Sequence, residues 1–269
     1  MATDNFKGKK TPEAIIRLVA REITRLGVHA FDYNGRNVLY TGPDESYWNG
    51  GDKNKEIAER FVSEWCARWF EGSEIGKYVF EGFSVYTLFN GLYGKRTRKS
   101  NNAIGKVSKY ASRRFIKAAF GEVATAVCGA NKKRVFYDAE LPVLVKNTKI
   151  TTINGLPREL VKAFYDINRD EAYQLICWAE LLEAKRKADR TGAKQDRQEY
   201  EARLHFFTEE RKDVASTMKK HSPAWEAKRM EERRSLLAAY GHETLLDDIK
   251  AFTPTIASFP RRSRSALVS

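Results

Sequence analysis

The stretch from Val107 to Glu140, VSKYASRRFIKAAFGEVATAVCGANKKRVFYDAE, limits the possible folds more than any other part of this chain. Val107, Ala111, Phe115, Ala118, Ala119, Val123 and Ala126 recur at helical spacing. One helix is therefore predicted, with Asn101, Asn102 and Gly105 leading into it and Gly129 closing it. Arg134–Asp138 is short, β-branched and aromatic, which predicts a strand with Glu140 at its C-terminal end. A helix followed by a strand is half of an α/β unit, and ligands of such sheets bind outside the C-terminal strand ends. Ser112 on the helix and Glu140 beyond the strand are thus expected to face one pocket.

The remaining segments fit around that unit. Residues 11–26 predict an amphipathic helix, with Thr11 as cap, Pro12 in the first turn and Gly27 as its stop. A strand is expected over Arg36–Thr41, and a glycine-rich loop over 42–53. A helix follows from about Lys55 to Phe70, then a short strand Lys77–Glu81 that also ends in a carboxylate. Gly82–Leu92 predicts a buried helix or turn, and Lys149–Ile153 a further strand. From Pro157 the pattern becomes helical with charges of both signs. Helices are expected to about Ala188, then to about Lys219, then over Ala224–Tyr240. The expected fold class is α/β: a small parallel sheet flanked by helices, with a helical C-terminal hairpin or bundle. The expected divisions are 1–156, a helical region 157–252 and a flexible tail 253–269.

Charge narrows the ligand. The 269 residues carry a net charge of +13, and fourteen Lys/Arg stand against three acids between Lys95 and Lys149. An excess so concentrated suits an anion, either a dinucleotide pyrophosphate or a nucleic-acid backbone. Three cysteines without a CxxC do not make a disulfide framework, and four scattered histidines give no zinc signature. No run of about 18 apolar residues predicts a membrane span. The opening MATDNFKGKKTPEA has no apolar core of a secretory signal. A cytoplasmic type of fold, formed in a reducing compartment, is the expectation.

Four short patterns resemble the ADP-ribosyl cyclase / NAD glycohydrolase family and its bacterial toxin relatives over residues 36–155. VSKYASRRFIKAAFGEVATAVCG is similar to the family's serine-bearing helix, which implies Ser112 as the active-site serine. FYDAELPVLVKN resembles the segment with the catalytic glutamate, implying Glu140. VLYT resembles the aromatic–hydroxyl pair that holds nicotinamide, implying Tyr40 and Thr41, and YVFEG implies Glu81 as the second acid. Arg113, Arg114 or the Lys95–Lys99 loop is expected to meet the pyrophosphate, since guanidinium suits phosphate. One turn before the serine the family often carries a tryptophan, and here Ser108 stands there. The resemblance implies cleavage of the nicotinamide–ribose bond of NAD, as substrate rather than cofactor, with no metal. It also implies a toxin or effector delivered into a target cell, and an inhibitor protein in the producer. Two other readings stay open: a basic nucleic-acid-binding protein using residues 95–149, and a helical interaction module.

Overall fold

The computed structural model describes residues 12–26, 36–40, 53–70, 72–80, 85–95, 97–129, 135–204, 223–245 and 247. The chain divides into two compact units, residues 1–203 and 204–269.

The first unit is α/β. Its sheet has the order β2-β1-β3-β4-β5, from β1 (Arg36–Tyr40), β2 (Arg68–Trp69), β3 (Gly121–Ala126), β4 (Ile150–Ile153) and β5 (Leu156–Pro157). β3 lies at the centre, pairing parallel with β1 from Arg36↔Glu122 to Tyr40↔Ala126. β1 also pairs parallel with β2, and β3 parallel with β4. β5 folds back antiparallel on β4, so the sheet is mixed where a parallel one was expected. The reason is local. Asn154 and Gly155 both have positive φ, the conformation of a two-residue hairpin turn, and Asn-Gly is the dipeptide that best tolerates it.

Helices α1 (Pro12–Leu26), α2 (Lys53–Trp65), α3 (Glu74–Phe80), α4 (Val85–Tyr93) and α5 (Arg98–Ala118) precede β3. A π-helix, Phe136–Glu140, runs straight into α6 (Leu141–Leu144). After β5 come α7 (Arg158–Ile167), α8 (Arg169–Thr191) and α9 over residues 194–204. In the second unit the described helix is α10 (Pro223–Ala239).

Several expectations are corrected. The long central helix ends at Ala118, and 121–126 is the central strand β3 rather than its last turns. Gly121, at φ +70°, takes a backbone conformation that a helix cannot contain. The strand expected at Arg134–Asp138 is the π-helix, so Glu140 ends a helical turn and not a strand. The helix expected to reach Phe70 stops at Trp65, and Arg68–Trp69 becomes the edge strand β2. The strand expected at 77–81 is helix α3, whose start is fixed by Ser73: its hydroxyl accepts from Gly76 N–H at 3.1 Å. Thr11, Gly27, the 42–52 loop, Thr41, Glu81 and the tail fall outside the described residues.

Two helices hold the sheet in the core. α2 covers Val38 and Ala124, with Tyr40, Phe61, Val62 and Trp69 packed around them. α8 is buried without interruption from Leu175 to Leu182. Only a helix enclosed on all sides shows such a run. α8 is thus a core element of the first unit, together with α7, which packs on β4 and β5. Among the described residues no helix is long and apolar enough to cross a membrane.

Candidate active site

α5 is long enough to present several side chains along one line. Thr97 caps it, its hydroxyl accepting from Ser100 N–H at 3.2 Å. One face of α5 meets the π-helix through two ties a single turn apart. Lys109 Nζ donates to Asp138 Oδ2 at 3.1 Å, and Ser112 Oγ donates to Glu140 Oε1. Residues three apart on a helix share a face, so both ties fall where the sequence spacing puts them. Ser112 is 1% exposed and Glu140 is 5% exposed.

Glu140 reaches Ser112 because of the π turn. Leu141 N–H bonds back to Phe136 O, five residues earlier, instead of the usual four. The extra residue per turn buries Phe136, Ala139 and Glu140 together. Tyr137 fixes the other side of the turn. Its hydroxyl donates to Asp170 Oδ1 at 2.8 Å, its ring meets Tyr173 edge-on at 5.8 Å, and the Arg169 guanidinium lies 5.3 Å from the ring centre. Burial, and then the bond to Asp170, hold the Tyr137 phenol well above its ordinary range. A buried carboxylate oriented by a hydroxyl can oppose a positive charge formed beside it, and the low-dielectric setting strengthens that effect.

Among the sequence-predicted residues, Ser112 and Glu140 are the two brought into direct contact. Tyr40 lies instead against Trp69, ring centres 5.6 Å apart, in the cluster under α2. Arg113, one residue on from Ser112, is exposed and lines a groove between α1 and α5. Arg114 is half-buried on the same helix. Thr41 and Glu81 are outside the described residues.

A second polar centre lies at the C-terminal end of β3, and the sequence reading did not single it out. Glu180 of α8 is 3% exposed. Its carboxylate accepts from Val127 N–H at 2.9 Å, from Cys128 N–H at 3.1 Å, and from the hydroxyl of Thr125. Arg203, also 3% exposed, completes the set with an ion pair to Glu180 and another to Glu199. Burial pushes the Glu180 carboxyl up, against the pull of Arg203 and the three hydrogen bonds. Asn154 ties the hairpin turn to the same strand, accepting from Thr125 N–H at 2.7 Å. Outward the network continues through Arg60, Asp196 and Lys187. Hydrogen bonding from Thr191 Oγ1 holds the Asp196 carboxyl low, with Lys187 and Arg60 adding to it. A cavity of about 130 Å³ opens beside this network, with Ile57, Phe61 and Ala124 as its apolar wall. Arg60, Lys187 and Arg203 are paired within it, so the network reads as a clamp on the strand end. A carboxylate inside the apolar run LICWAELL was the available signal.

No family model, no curated protein and no solved structure matches the chain.

Proposed function

We propose that this chain cleaves the nicotinamide–ribose bond of NAD. The observation that carries the reading is the buried hydrogen bond from Ser112 Oγ to Glu140 Oε1. Nicotinamide in NAD is a cationic leaving group. When the C–N bond breaks, its electron pair neutralises the ring nitrogen, so no general acid is needed. Positive charge passes to the ribose as an oxocarbenium ion, as in glycoside hydrolysis. Glu140 is the group that would face that charge, and Ser112 keeps its carboxylate aimed. Water then adds at the anomeric carbon and releases a proton, giving ADP-ribose. Attack by the adenine ring instead gives the cyclic product. Tyr40 has a packing role against Trp69, so nicotinamide stacking is not assigned to it here. The family resemblance adds a toxin or effector role, with an inhibitor protein in the producing cell.

The test is direct. Purified chain is incubated with NAD, and nicotinamide, ADP-ribose and cyclic ADP-ribose are separated. Glu140→Gln keeps the side-chain volume and an acceptor for Ser112 but removes the charge. It should lower kcat by about 10²–10³ while NAD binding survives. Circular dichroism checks that the variant folds. No nicotinamide release by folded wild-type protein removes the reading, and near-wild-type kcat for folded Glu140→Gln removes the site.

A further inference from the structure

α5 carries seven Lys/Arg in 21 residues and no Asp or Glu. Lys99, Lys106, Arg113 and Lys117 are all exposed. At 3.6 residues per turn these four lie within about 40° of one another, a single stripe. From Lys99 to Lys117 the stripe runs about 27 Å at 1.5 Å per residue. Lys109, on the flank of the stripe, is the α5 cation drawn into an ion pair, with Asp138. The four stripe residues have no ion pair among the described residues. α1 packs alongside α5, and Thr24 Oγ1 lies 2.8 Å from Tyr110 Oη across the junction. Between the helices runs the groove of Ile16, Ala20, Lys106, Val107, Tyr110 and Arg113. Arg17 and Arg21, both exposed, flank its α1 side.

We infer that the α1–α5 face docks the phosphate backbone of nucleic acid, without reading sequence. A stripe of about 27 Å matches roughly eight steps of a duplex at 3.4 Å per step. The composition of the face separates this partner from two others. Protein interfaces are anchored by aromatic and large aliphatic side chains. Among the described residues the exposed large hydrophobics are Tyr86, Leu92, Phe120, Trp225 and Tyr240, and none of these belongs to α1 or α5. An anionic membrane surface would also need an apolar helix face to insert. Charge alone, laid out in a line, is what a phosphodiester backbone requires.

The full chain is titrated with a labelled duplex of about 20 base pairs over a range of salt concentrations. If Arg17, Arg21, Lys99, Lys106, Arg113 and Lys117 all meet phosphates, log K falls against log salt with a slope of about −5. The triple variant Lys106→Gln, Arg113→Gln, Lys117→Gln should make that slope shallower by about 3. A second triple, Arg186→Gln, Lys194→Gln, Arg197→Gln, removes the same charge from exposed positions on α8 and α9 and should leave the slope unchanged. Should the first triple fail to fold, Arg17→Gln with Arg21→Gln reports from α1, and a slope shallower by about 2 is expected. Absence of duplex binding at low salt overturns the inference, as does an equal effect of the two triples. So does binding of polyglutamate or phosphatidylserine vesicles as tight as that of the duplex at the same salt.

Discussion

Tyr137 joins the π-helix to the start of α8, and its hydrogen bond to Asp170 is possible only while the phenol keeps its proton. The native state raises that phenol above the value near 10 of an unfolded tyrosine, by burial first and by Asp170 second. Its contribution to stability is therefore complete below about pH 10 and is lost as pH climbs toward the native value. Tyr78, pushed up to about 12 mainly by burial, acts in the same direction. Thermal unfolding followed from about pH 8 to 11 should show a fall in stability for the wild type and a shallower fall for Tyr137→Phe. Equal slopes would mean that the native proton is held no more tightly than the unfolded one. Ser112 was legible at this scale because α5 has a strong local pattern, and Glu140 was singled out although its segment is a π turn and not the strand its pattern suggests. Glu180 was not. A single carboxylate within a helix reads as solvated, and its four donors come from β3, the two residues after it and α9, all far away in sequence. Glu81 and Glu140 were both expected at strand ends, and Glu140 reached Ser112 by another backbone route.

At the level of elements, α5 begins in a stretch with little helical signal. The run GKRTRKSNN has no apolar period, and its cations oppose the positive end of the helix dipole. Thr97 offsets this. Its hydroxyl accepts from Ser100 N–H and also donates to Tyr93 O at 2.8 Å, joining the end of α4 to the start of α5. Thr97→Ala should lower unfolding free energy by about 1 kcal/mol, measured by denaturant titration. A change within error would leave the Tyr93 turn and water as sufficient caps. Further along, the apolar spacing of α5 carries on by coincidence into GEVATA. A central strand buried on both faces has no alternation to betray it, so small apolar residues at 123, 124 and 126 fit either period. Gly121 was the available signal, as a breaker. The segment RVFYD went the other way. Its β-branched and aromatic residues suit a strand, but their burial against Tyr173 and α5 is obtained in a π turn.

For the whole molecule, the α/β class was legible from alternating helix and strand patterns, and the helical change at 157 is present. That change is not where the chain divides. α7 and α8 belong to the first unit, which extends to residue 203. They supply Leu160, Val161, Phe164, Tyr173, Leu175 and Ile176 to its core, all of them fully covered. Each such side chain, truncated alone, costs about 2–5 kcal/mol, against a total stability of about 5–15 kcal/mol. A chain ended after Leu204 should therefore melt cooperatively, and one ended after Leu156 should not, as followed by circular dichroism. A folded 1–156 product would reverse the assignment of α8 to the core. The charges of both signs on either side of the run, at 169–171 and 183–190, read as a solvated hairpin and outweighed the apolar LICWAELL between them.

The sheet's two margins, β2 and β5, are each two residues long, and one of them ends in Pro157, which has no N–H to give. An open sheet is ordinarily a template: its outermost ladder can capture an extended segment of another molecule and begin a fibre. Here a neighbouring molecule would find, on either side, too few free rungs to hold on to.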